Sequence, residues 1–209
     1  MRVLLVIDVQ EAFLHDTMRS VERSTPDFEE SIDRLLAHYR GRQDHFVVHV
    51  AHQDEDPTSL FNETFNPGGT KIQASIAPRA DEPVFVKKTS SAATARVKET
   101  CSLGSARLST NMTLIGALDM VRPLQLTLVG LESPHCVSST ARALADLYLD
   151  RSIAERPVLS VVYDATAAYV EPAAPGGSSM SAQTLHDATM TALHAGHAYV
   201  VTSQDVLSQ

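Results

Sequence analysis

Cysteine is scarce in this chain: among 209 residues there are only Cys101 and Cys136. Two thiols are too few for a disulfide framework, so a reducing, cytoplasmic setting is expected. Long apolar runs are missing as well. After Arg2 only five apolar residues, Val3 to Ile7, precede Asp8. That is too short for the core of a secretion signal, and no stretch approaches the roughly 20 apolar residues of a membrane span. Positive charge is in deficit, with 17 Lys and Arg against 25 Asp and Glu and a formal net charge of -8. Without a basic stripe, nucleic acid and anionic membrane surfaces are not expected partners. No repeat and no low-complexity linker interrupts the chain. The first apolar run ends in Asp8-Val9-Gln10 rather than a glycine-rich phosphate loop, which argues against a nucleotide-binding oxidoreductase.

What is present reads as one α/β domain over residues 1–209. A hydrophobic content of 44% supports a sizeable core at this length. Short apolar runs predict strands at Val3–Ile7, Phe46–Ala51, Val84–Val86, Leu126–Val129, Val158–Tyr163 and Ala198–Val201. Most lack polar alternation, as parallel strands covered on both faces do. Amphipathic spacing predicts helices at Asp27–Arg40, Met112–Met120, Cys136–Leu149 and Ser181–Ala195, the first with Thr25-Pro26 as cap and first helical residue. The expected architecture is a three-layer, Rossmann-like α/β/α sandwich around a parallel sheet of about six strands. Loops are expected at Asp54–Ala80 and Glu171–Ser179. The first is long, follows a strand, and is placed to cover a site.

Cys136 is the residue with the clearest chemical setting. It follows the Leu126–Val129 strand and Gly130, with Ser133 as candidate N-cap, Pro134 at the first helical position and the thiol in the first turn. Free N–H groups and the helix dipole at that end favour a thiolate. Free cysteine is also a common buried filler, so the assignment depends on what the sheet brings beside it. Ligands of an open parallel sheet bind at the carboxyl ends of its strands. Asp8 ends the first strand, His52 the second, and Lys87 the third, so a carboxylate and an amine join the thiol in a nucleophilic set. Phe13, His52 and His135 are candidates for the pocket. Cys101 lacks a cap, a base and a strand end and reads as structural.

Three segments carry a family resemblance: Leu4-Leu-Val-Ile-Asp8-Val-Gln10-Glu-Ala-Phe13, Val84-Phe-Val-Lys87-Lys-Thr-Ser-Ser91-Ala92, and Gly130 through Arg142. With Asp164-Ala-Thr-Ala-Ala-Tyr169 after them, their order and spacing resemble the isochorismatase-like cysteine hydrolases over nearly the whole chain. The resemblance implies an isochorismatase-type fold and a catalytic triad of Asp8, Lys87 and Cys136. Lys87 is preferred over Lys88 because Ser91-Ala92 follows it at the family's distance. It further implies a cis peptide between Leu131 and Glu132, an oxyanion hole from the backbone N–H groups of Glu132 and Cys136, and Leu131 at the pocket. A small-molecule substrate is implied, and so is a homo-oligomer.

The implied reaction is hydrolysis of a small amide-like C–N bond through a Cys136 acyl-enzyme, with vinyl-ether hydrolysis and a catalytically idle scaffold as alternatives. No cofactor is expected. The nicotinamidase branch carries Asp-x-His and a second His after the second strand. Here the positions are His49, His52, Asp54 and Asp56, which do not match, so zinc is not expected. Glu132 and Ser133 stand where many members carry other small residues, Ala93 stands where Phe is frequent, and the Leu147–Pro157 link is longer than usual.

Overall fold

The computed structural model describes residues Met1 to Gln209. Its strands are β1 (Arg2–Ile7), β2 (His45–His52), β3 (Val84–Lys87), β4 (Arg96–Val97), β5 (Cys101–Leu103), β6 (Ala106–Leu108), β7 (Gln125–Leu131), β8 (Val158–Ala167) and β9 (Tyr199–Val201). Its α-helices are α1 (Asp16–Arg19), α2 (Phe28–Arg40), α3 (Leu114–Val121), α4 (Ser138–Leu149), α5 (Ala182–His194) and α6 (Ser203–Leu207). Seven strands build the main sheet in the order β4-β3-β2-β1-β7-β8-β9. All its pairings are parallel except that of β3 with β4. The six predicted strands are the parallel ones. The seventh, β4, spans two residues and is too short to show as an apolar run. β5 and β6 pair separately as an antiparallel hairpin. No helix is long and apolar enough to cross a membrane.

Side chains alternate across each strand, so β1 feeds two cores. Val3, Leu5 and Ile7 pack with Leu114 and Leu118 of α3, Leu144 of α4 and Leu193 of α5. Leu4 and Val6 pack on the opposite face with Ile32, Leu35 and Leu36 of α2 and Val206 of α6. Helices therefore cover both faces, and each fully buried aliphatic side chain contributes roughly 1.5–3 kcal/mol. At the rim of the α2 side, the Arg40 guanidinium forks onto Glu82 at 2.7 and 2.8 Å, and His49 Nε2 lies 3.1 Å from the same carboxylate. Burial pushes the Glu82 carboxyl up, but hydrogen bonds from Arg40, His49 and the Arg79 N–H outweigh it and bring the pKa down to about 2.

The helix ends depart from expectation in instructive ways. Thr25 does not cap α2. It has a φ of 55°, and Asp27 occupies the cap position without a side-chain bond. α3 begins at Leu114 instead of Met112 because Thr113 takes the cap, accepting from the Gly116 N–H at 3.2 Å. α5 is capped by Ser181. Ser133 is no cap at all: Ser133–Val137 forms a π-helical turn and α4 starts only at Ser138.

Strand order sets the place of the site. β1 continues to β2 and β3 on one side, whereas β7, β8 and β9 lie on the other, so the topological switch point falls between β1 and β7. Gly130 makes that neighbourhood possible. It has a φ of 120°, and a Cβ there would lie 2.0 Å from the Ile7 carbonyl oxygen. Only glycine tolerates both the conformation and the approach.

Candidate active site

Asp8 leaves β1 in the left-handed region, with a φ of 54°. Such a conformation is costly for a residue with a side chain and is held here by the surrounding sheet. Its carboxyl is buried. Lys87 is the last residue of β3, in register with His52 of β2, and its buried stem delivers Nζ to three groups. The ammonium lies 2.6 Å from Asp8 Oδ2, 3.2 Å from Cys136 Sγ and 3.2 Å from His52 Nδ1. The contact with Asp8 is an ion pair away from the ideal hydrogen-bond angle, and Asp8 Oδ1 has no partner within the chain. A buried carboxylate with an open lone pair thus faces a half-buried thiol.

The electrostatics correct one expectation. Burial, and next the Asp8 carboxylate, push the Cys136 thiol up to about 12, against the pull of Lys87. The predicted lowering fails because burial disfavours the thiolate and the Asp8 anion adds to that effect, together outweighing Lys87. Burial also raises Asp8, with Lys87 drawing it back, which makes it a stronger base than a surface carboxylate. His52 is brought down to about 4 by burial and then by Lys87. It is neutral, and its Nδ1 accepts from the ammonium.

From His52 an aromatic chain runs around the site. His52 meets Phe61 edge-on at 5.3 Å, Phe61 meets Phe13 edge-on at 5.3 Å, and Phe13 stacks on Tyr169 at 5.7 Å. The Tyr169 N–H donates to Glu132 Oε2 at 3.3 Å, and Glu132 opens the turn that carries Cys136. The circuit of contacts closes there. Phe61 comes from the long loop predicted to cover a site, and its carbonyl accepts from the Asp54 N–H. Gln10 ties that loop to the sheet: its Nε2 donates to the His52 and Thr70 carbonyls at 2.9 and 2.8 Å, and its Oε1 accepts from the His52 N–H at 2.7 Å.

The Leu131–Glu132 peptide is cis. The Glu132 N–H donates to no group of the chain. Ser133 instead bonds buried His186 on α5, its Oγ 2.9 Å from Nδ1, which anchors the turn from behind.

Asp8, Lys87, Cys136, His52 and Phe13 are therefore brought together, while one pocket candidate, His135, lies exposed. Leu131, the last residue of β7, pairs with Ala167 and is buried in the same cluster as Phe13 and Tyr169. His135 projects from the turn to the surface, where it pairs with Glu171. Ala93 is buried in the α3 to α5 core. Cys101 lies on β5, in the two-stranded hairpin outside the main sheet. Sequence reasoning missed Gln10 and Phe61 as site-builders. The strand-end position of Gln10 was a usable signal, whereas nothing local marked Phe61.

The model of the isochorismatase domain matches residues 2–205. An isochorismatase-family protein of Bacillus subtilis, YrdC, is 27% identical over 207 residues, covering 99% of this chain and 95% of its own. Among solved structures, an isochorismatase-family protein from Chromobacterium violaceum superposes with a TM-score of 0.78 at 21% identity, over 99% of this chain and 92% of the other. N-carbamoylsarcosine amidase from Thermoplasma acidophilum superposes with a TM-score of 0.62 at 21% identity, over 97% of each chain.

Proposed function

The chain belongs to the isochorismatase family of hydrolases, and from that premise we propose that it cleaves a small amide-like C–N bond through a Cys136 acyl-enzyme. One observation carries the reading: a single buried ammonium, that of Lys87, lies 2.6 Å from the Asp8 carboxylate and 3.2 Å from the Cys136 sulfur. Base, nucleophile and a fixed positive charge thereby share one point at the switch of the sheet.

In this mechanism the resting thiol keeps its proton. As Cys136 sulfur attacks the carbonyl carbon, the S–H proton passes to Asp8 and a C–S bond forms. The unpaired Glu132 N–H, with that of Cys136, is assigned to the tetrahedral oxyanion, and fixed donors of this kind contribute about 3 kcal/mol each. The intermediate collapses with cleavage of the C–N bond, and the nitrogen leaves with the proton held by Asp8. Water then attacks the thioester, giving a proton to Asp8, and release of the acid returns that proton to sulfur. Nitrogen is a poor leaving group unless protonated, so an acid beside the nucleophile suits C–N cleavage. Vinyl-ether hydrolysis needs no thiol. Lys87 holds Asp8 in place and compensates the charge that develops on sulfur.

Ammonia release from a panel of small primary amides and ureido acids, with isochorismate alongside, tests the reading. Turnover of an amide or ureido compound is expected. Turnover of isochorismate alone would overturn it.

A further inference from the structure

Glu132 is the member of the site circuit with no role so far beyond its backbone. It is half-buried. One carboxyl oxygen accepts a single bond, from the Tyr169 N–H at 3.3 Å. The other has no partner within the chain and is reached by solvent. No cation of the protein stands within ion-pair distance of it. His135, the cation whose field reaches Glu132, is engaged by Glu171, and Lys87 is engaged by Asp8.

Resting on the reading of Cys136 as nucleophile, we infer that Glu132 selects the substrate, favouring an amide that carries an ammonium or comparable cationic donor near its carbonyl and disfavouring one that carries a carboxylate. Three lines converge on this assignment. The Glu132 side chain belongs to the same closed circuit as Lys87, His52, Phe61, Phe13 and Tyr169. An anionic substrate would meet Asp8 and Glu132 with the Lys87 ammonium already held by Asp8, and a desolvated charge without a counter-charge is strongly disfavoured. The net charge of -8 draws cations rather than anions toward the protein. Burial pushes the Glu132 carboxyl up; the Tyr169 N–H and then the His135 imidazole draw it back, and Glu171 adds a smaller push. A bound cation would act in the opposite direction.

Charged thiol reagents test this independently of hydrolysis. Cys136 sulfur attacks the sulfenyl sulfur of a methanethiosulfonate, an S–S bond forms, methanesulfinate leaves, and the thiol proton goes to Asp8. Rates at Cys136, followed by peptide mapping so that Cys101 is counted apart, are compared for aminoethyl (cationic), methyl (neutral) and sulfonatoethyl (anionic) methanethiosulfonate. With the methyl reagent as reference, the cationic reagent is expected to outpace the anionic one by about ten-fold or more. In Glu132→Gln, which keeps an acceptor for the Tyr169 N–H, most of that ratio should disappear. Equal rates, a faster anionic reagent, or a ratio unchanged in Glu132→Gln overturns the assignment.

Hydrolysis of β-alaninamide, butyramide and succinamate supplies the second arm. The cationic amide should show the highest kcat/KM in the wild type and lose its advantage in Glu132→Gln. If all three are hydrolysed alike, the selectivity fails and the acyl-enzyme reading stands. If none is hydrolysed but the labelling ratio holds and depends on Glu132, the acyl-enzyme reading fails and the electrostatic assignment stands.

Discussion

Lys87 and Asp8 meet at 2.6 Å with side chains 0% and 2% exposed, so each is the other's only charge partner in a dry site. Removing either leaves an uncompensated buried charge, which costs about 3–5 kcal/mol. Lys87→Met and Asp8→Asn are therefore expected to lower both stability and turnover, and the double variant should recover much of the stability but none of the activity. Urea denaturation and an amidase assay on the same preparations check this. Activity in the double variant would contradict it.

The thiol titrates late. Because burial and Asp8 hold Cys136 up at about 12, its ultraviolet thiolate absorbance should rise near that pH rather than near the ordinary cysteine value of about 8.5. In Asp8→Asn the repulsion is gone while burial and the pull of Lys87 remain, so the midpoint should move down.

Turnover should fall on the acid side as Asp8 takes up a proton and ceases to be a base. Its pKa is raised in the folded protein, so the acid limb of kcat/KM should lie above the ordinary aspartate value of about 3.9. The residual activity of Asp8→Asn should lack that limb.

Gly130 is fixed by the approach of β7 to β1. Gly130→Ala places a methyl 2.0 Å from the Ile7 carbonyl oxygen at a φ of 120°, and a loss of roughly 3 kcal/mol or more is expected in chemical denaturation.

Glu82 makes a signed prediction for acid. Its folded pKa is depressed to about 2, below the unfolded value of about 4.3. The stabilisation from Arg40 and His49 is thus complete above the unfolded value and is lost as pH falls toward 2. Glu82→Gln should flatten the stability profile across that window, and urea midpoints measured through it provide the check.

Much of the site was legible because strand ends are fixed by apolar runs. Val3 to Ile7 and Val84 to Val86 place Asp8 and Lys87 at carboxyl ends whatever the loops do, and the sheet then brings them together. The short antiparallel β4 and the hairpin of β5 and β6 carry too few residues for any period to show. Phe61 was illegible because its position depends on the path of a 54–80 loop pinned by distant groups, among them Gln10. The Cys136 environment was misread from local sequence. Ser133 and Pro134 have the look of a helix start, but the hydroxyl of Ser133 is drawn to His186 and the turn becomes π-helical. Tertiary contacts thus overrode a local capping preference.

The central claim is that Cys136 is the nucleophile, and the turnover of Cys136→Ala on an amide hydrolysed by the wild type tests it most directly. The variant should keep the wild-type circular dichroism and melting behaviour, because it removes one half-buried sulfur, while hydrolysis falls by about a thousand-fold or more. Hydrolysis by Cys136→Ala at a near-normal rate would contradict the account.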